Sequence, residues 1–162
     1  HDIDTNIVRK TSSFYLPMKR NRKGEWKIPA GSMVMTCFSS DFFIEEIDVW
    51  REEARQMMRE RKDLYFYMVT KRPERIAKCL PRFWDELKAR IYICCTMGNQ
   101  RRTDERLPIF QAAPLVHREI IVEPMLEMID FHSSLGGIDR ITVGGKSGKY
   151  ARPCHYEYAS SR

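Results

Sequence analysis

The sequence predicts an α/β fold: a parallel β-sheet with crossover helices, forming part of an open, TIM-like barrel. Three observations predict it. Five short apolar runs, rich in β-branched and aromatic residues, recur along the 162 residues. They are runs rather than alternations, the pattern of parallel strands buried on both faces. Helical segments separate them, giving the strand–helix–strand rhythm of right-handed crossovers. Five such repeats are too few to close a barrel, which takes about 250 residues.

Residues 1–32 read as an irregular amino-terminal segment. Thr11-Ser12-Ser13, Pro17, Asn21-Arg22-Lys23-Gly24 and Pro29-Ala30-Gly31 supply its turns and breaks. Residues 33–162 form the partial barrel, a single domain. The expected strands cover 34–38, 65–69, 91–95, 119–122 and 140–143. A helix begins near Asp48, with Ile47, Trp50, Ala54, Met57 and Met58 on one face. Arg51, Glu52, Arg55, Arg59 and Glu60 cover the other. A second helix opens at Pro73, a favoured first helical position. Pro81 interrupts it before 83–87, and two shorter helical stretches are expected at 107–112 and 125–135. The chain begins with His1 rather than Met, and is read as a piece of a longer protein.

Composition narrows the function. Hydrophobic residues make up 43% and charged residues 31%, a globular mixture, and no apolar run approaches the ~20 residues of a bilayer span. No membrane partner is expected. The net charge of +6 permits phosphate-bearing partners. Lys19-Arg20-Asn21-Arg22-Lys23 beside Trp26 is the best local nucleic-acid patch, and a solvated turn explains it as well. The five cysteines, Cys37, Cys79, Cys94, Cys95 and Cys154, include no CxxC. An odd count without chelating spacing points to free thiols in the cytoplasm, with no structural zinc and no metal site in this chain.

In parallel α/β folds the ligand site lies at the carboxyl ends of the strands. The residues just past each run are therefore the candidates: Asp41, Thr70, Lys71, Arg72, Thr96, Asn99, Glu123, Lys146 and Ser147. Gly144-Gly145-Lys146-Ser147-Gly148 resembles a phosphate-cradling loop without P-loop spacing. A tight strand-to-loop turn accounts for its glycines equally well. Glu123 reads either as a base or amino-group ligand, or as half of an ion pair with Arg72 or Arg152. Strand alternation lets only one of Cys94 and Cys95 face inward, and both suit burial as small apolar residues. His117 precedes a strand, at the opposite end from the other candidates, and His132 and His155 are isolated.

Four motifs occur in order: Ser40-Asp41-Phe42-Phe43, Thr70-Lys71-Arg72-Pro73-Glu74-Arg75, Glu123-Pro124-Met125-Leu126, and Gly144-Gly145-Lys146-Ser147-Gly148 with Ala151-Arg152-Pro153. Together they resemble the bacterial and phage-associated three-Cys-motif family of radical S-adenosylmethionine-like barrels, over about residues 1–162. The resemblance implies a [4Fe-4S] centre held by three cysteines upstream of His1, with one iron open to S-adenosylmethionine. Neither cofactor is expected on this chain by itself. Lys146 stands where the family pattern has Glu, so a carboxylate role is not carried over to it.

The expected function is the body of a radical S-adenosylmethionine-like barrel, inactive without its cluster cysteines, acting on an unidentified substrate. Its cofactor-binding residues are Asp41, Thr70, Lys71, Thr96, Glu123, Gly144, Gly145 and Ser147. The alternative is a non-catalytic binding module for nucleic acid or another phosphate-bearing ligand. Self-association through an open sheet edge is a further expectation, because a five-stranded sheet has two unpaired edges.

Overall fold

The computed structural model describes residues 8–37, 40–125, 127–131 and 135–146. Five strands alternate with helices: β1 (Met33–Thr36), α1 (Asp48–Glu60), β2 (Tyr65–Thr70), α2 (Pro73–Ile76), α3 (Trp84–Leu87), β3 (Ile91–Thr96), α4 (Gln100–Ala112), β4 (His117–Val122) and β5 (Arg140–Val143). The strands form one sheet in the order β1-β2-β3-β4-β5, every pair parallel. Each strand lies beside its successor, as in a barrel wall, but the sheet stays open. Among the described residues no helix is long and apolar enough to cross a membrane.

The register separates the sheet's two faces. One carries Phe66, Met68, Ile91, Ile93, Cys95, Ile120 and Val122. These pack with Ala54, Met58, Ile76, Leu87, Leu107 and Phe110 from the helical layer into the main core. Right-handed crossovers between successive strands put their helices on this one side. The other face carries Met33, Met35, Tyr65, Tyr67, Tyr92, Cys94, His117, Glu119 and Arg140. Met35 is 60% exposed there, and Met33 and Tyr65 are exposed too. The expectation that both faces are buried therefore holds only at the centre of the sheet.

Local chemistry explains the element boundaries. β1 stops at Thr36, short of the expected 38, because Cys37 turns into the left-handed region at φ 58°. α1 starts at Asp48 as expected, but Arg51 does not lie on its solvated face. It is buried, donating from Nε to the carbonyl of Phe42 (2.9 Å) and from Nη2 to that of Ile44 (2.6 Å). Arg51 thus pulls the loop after β1 down onto the helix. Pro73 opens α2, and the chain breaks at Leu80 before Pro81.

Two helical expectations are corrected. α4 begins at Gln100, seven residues before the expected start, because the Asn99 side chain accepts from the Arg102 amide at 2.9 Å and caps it. Its first half, 100–106, is polar throughout, with Thr103 alone buried, so no apolar stripe marks it. Conversely, the described residues between 125 and 135 form no helix. Their backbone is spent on α4 instead. The Asp130 amide donates to Gln100 Oε1, and Gln100 Nε2 returns to the Asp130 carbonyl (2.8 and 2.9 Å). Met125 and Ile129 are buried in the core from this extended course.

Candidate functional site at the carboxyl edge

With every strand parallel, the residues that end or follow the strands share one edge of the sheet. Asp41 lies in the loop after β1 and Lys71 directly after β2. Thr70 and Thr96 are the last residues of β2 and β3. Glu123 follows β4, and Gly144 and Gly145 follow β5. Ser147 lies outside the described residues, as do Gly148, Arg152, Cys154, His132 and His155.

Asp41 and Thr70 meet directly. The buried Asp41 carboxylate accepts from the Thr70 hydroxyl (2.9 and 3.1 Å), the Phe43 and Lys71 amides (both 2.9 Å) and Arg72 Nη1 (3.0 Å). The Thr70 hydroxyl also accepts from the Arg72 amide at 3.0 Å. All these partners belong to the chain itself, so the pair pins the β1 loop to the end of β2. Arg72, a candidate partner of Glu123, pairs here with Asp41 instead. Thr96 is almost wholly buried, and its carbonyl accepts from Arg106 Nη1 at 2.5 Å.

A second meeting joins Glu123 and Gly144. The Gly144 amide donates to the Val122 carbonyl (3.0 Å), and its carbonyl accepts from the Met125 amide (2.8 Å). This extends the β4–β5 ladder past both strands and lays the Glu123 side chain against Gly144. A Cβ at Gly144 would stand 2.9 Å from Glu123 Cδ and 3.1 Å from Cγ. A side chain at this position would therefore have to displace the end of the Glu123 side chain. The Glu123 and Lys71 side chains are exposed on the same edge, as is Gly145.

The face away from the helices holds a group that the sequence reading missed. Cys94, Glu119 and Arg140 stand in register on β3, β4 and β5. Glu119 Oε2 accepts from Tyr67 Oη (2.8 Å) and from Arg140 Nε and Nη2 (3.0 and 2.6 Å). Glu119 is buried, whereas the Arg140 side chain is 60% exposed. Burial, with hydrogen bonds to Cys94 and Glu119, raises the Tyr67 phenol above its ordinary range. The available signal was a glutamate at the head of the apolar run 120–122, where it is costly to bury unless paired. Tyr92 stacks on His117 at 4.1 Å lower on the same face, which gives that histidine a packing role.

Burial pushes the Cys94 thiol up to about 11 and the Cys95 thiol up to about 12. The two side chains occupy opposite faces of β3, and both are fully buried. The raised values have a consequence for stability. Each folded thiol keeps its proton to a higher pH than the unfolded thiol, which ionises near 9. The stabilisation is therefore complete below pH 9 and is lost as pH rises towards 11 and 12. Urea midpoints between pH 8 and 10.5 should fall, by up to about 1.4 kcal/mol per pH unit for each thiol. The decline should be shallower in the Cys94→Ala, Cys95→Ala double variant, and an identical decline would refute the assignment.

The basic stretch at residues 19–23 belongs to a small hairpin. Lys27 N donates to Lys19 O (2.9 Å), and Asn21 N donates to Glu25 O (2.8 Å). The Arg20 guanidinium lies 3.6 Å from the centre of the Trp26 ring, and that of Arg61 lies 4.4 Å from it. The aromatic ring next to the basic residues is thus covered by the protein's own arginines and offers no free stacking platform for a base.

The fold and edge define an open, singly wound parallel α/β domain with polar groups gathered at the carboxyl ends of its strands. The chain belongs to a family of proteins of unknown function, DUF5131, whose model matches residues 4–161. Comparison with curated proteins and with solved structures gave no match.

Proposed function

We propose that this chain is the body of a radical S-adenosylmethionine-like barrel and binds a small zwitterionic ligand at the carboxyl edge of its sheet. The observation that carries the reading is the packing of Glu123 on Gly144, at the end where parallel α/β sheets place their ligands. The four ordered motifs and the strand order of a barrel wall support it.

The thiols of the described residues do not fit an iron–sulfur cluster. Among the described residues no three His, Cys, Asp or Glu side chains stand together to hold a metal. Cys94 and Cys95 are buried on opposite faces and held protonated. The edge does suit the methionyl part of S-adenosylmethionine. Glu123 offers an exposed carboxylate for its ammonium, and Lys71 an exposed ammonium for its carboxylate. Bound, that cofactor supplies an activated sulfonium centre. The chain's own part is to orient the polar groups and, through Gly144, to keep Glu123 in place. Asp41 and Thr70 contribute by fixing the loop from which Lys71 projects. The free thiols among the described cysteines suit a reducing cytoplasm.

Titration calorimetry with S-adenosylhomocysteine, the stable analogue, tests the reading. The resemblance put the cofactor on a cluster-bearing chain, but the Glu123 and Lys71 contacts proposed here need no cluster, so the wild-type chain should bind the analogue saturably by itself. Glu123→Gln should weaken binding about 10-fold or more, the value of a lost charge-assisted hydrogen bond. Gly144→Ala should do the same by displacing Glu123, with an unchanged melting temperature because the displaced side chain is exposed. Absence of binding by the wild-type chain would overturn the proposal.

A further inference from the structure

On the helical side of β1, reaching the loop after it at Cys37, Ser40 and Phe42 but not lined by Lys71, Glu123 or Gly144, the structure contains a cavity of about 520 Å³. Its roof is the amino-terminal strap, its floor is β1 with Phe66 of β2, and its far wall is α1. It opens to solvent as a cleft, and small-molecule sites span about 300–1,000 Å³. The walls are mostly apolar, with Phe14, Trp50, Ala54, Met57 and Phe66 among them.

The charged residues lining the cavity are all of one sign. Arg9, Lys10 and Arg51 line it, and no Asp or Glu does among the described residues. Lys10 is already paired with Glu53 and the Tyr15 hydroxyl. Arg51 is held by Asp48 and two carbonyls. Arg9 is exposed and makes no ion pair among the described residues. Cys37 also lines the cavity. It is the one described cysteine that is not buried, and burial together with the charge of Asp41 raises its thiol above its ordinary value.

We propose that this cavity is a binding site for an amphipathic anion, a small molecule with an apolar or aromatic body and one anionic head. The body fills the space between strap and α1, and the head pairs with Arg9. This site is separate from the carboxyl-edge site and does not depend on it.

The test uses the full chain carrying Cys154→Ser, so that the thiol reaction reports on Cys37. The probes are 8-anilinonaphthalene-1-sulfonate and its uncharged relative N-phenyl-1-naphthylamine. The sulfonate should bind saturably at one site and slow maleimide labelling of Cys37 at least about 10-fold. Arg9→Glu should weaken the sulfonate about 10-fold or more and leave the neutral probe unchanged, the effect of losing one charge-assisted contact. Ala54→Phe should fill the cavity and abolish binding of both probes, while S-adenosylhomocysteine affinity stays as it was. No saturable binding, or a Cys37 that the bound probe does not protect, would overturn the proposal whether or not Ala54→Phe folds. Equal sulfonate affinity in Arg9→Glu would overturn the role of the anionic head.

Discussion

Replacing Arg61 with alanine should cost about 2–4 kcal/mol of folding stability, because the Pro17 and Ile28 carbonyls lose a charged donor, while Asp63, a third exposed, adds little. Arg61 is 1% exposed, directly after α1. Its Nε and Nη2 each donate to an oxygen of Asp63 at 2.8 Å, Nη2 also reaches the Ile28 carbonyl at 2.8 Å, and Nη1 donates to the Pro17 carbonyl. One side chain thus ties the irregular amino-terminal segment to the start of β2. Lysine should not rescue the loss, because a single ammonium cannot span a carboxylate and two carbonyls in different directions. Urea unfolding should place both variants well below the wild-type midpoint. Since domains are stable by only about 5–15 kcal/mol, alanine here removes a large share of the total. A midpoint within about 1 kcal/mol of wild type would mean that the strap is not held through Arg61.

Asp41→Ala is expected to cost about 3 kcal/mol, by leaving the buried Thr70 hydroxyl and Phe43 amide, and the part-buried Lys71 amide, without their acceptor. The Arg72 contribution is small, because that side chain is 43% exposed and screened by water. Asp41 and Glu123 come from corresponding loops at the same edge, yet they should behave oppositely. Asp41→Ala should lower the unfolding midpoint, whereas Glu123→Gln should leave it in place and affect only ligand affinity. Thermal melts of the two variants side by side check this. An Asp41→Ala variant as stable as wild type would return Asp41 to the set of available ligand groups.

The strands were legible in the sequence because the core-forming ones are apolar on nearly every residue, so that period and length agree. Tyr65–Thr70 and Ile91–Thr96 lie within a residue of their expected limits. The carboxyl edge was legible for the same reason: once the strands are parallel, the loops that leave them must share an edge. Contacts that depend on register were not legible. Glu119 meets Tyr67 and Arg140 only because β2, β3, β4 and β5 align as they do, and hydrophobic pattern does not fix that alignment to the residue. Arg51 and Arg61 were hidden for a different reason. Arginine in a charged helical stretch normally points to water, and both are buried here because carbonyls of irregular loops need donors. The polar opening of α4 shows the converse, a helix fixed by its Asn99 cap rather than by an apolar stripe.

The sequential strand order bears on how the molecule is assembled. Every pairing in the sheet joins a strand to the next one along the chain, so no strand waits for a distant partner. A chain emerging from the ribosome can add each βα unit to an edge that its predecessor has just built, so loop closure stays short at every step. Among the described strands, the two at the edges, β1 and β5, are the least secured. All four residues of β5 are half-buried or exposed, and the strand is held by backbone pairing to β4 and by the Arg140–Glu119 contact. Local opening should therefore begin at an edge strand, and β5 is the one that carries Gly144 at its end. The piece of the edge that the ligand reading depends on most thus stands on one of the two strands that open most readily.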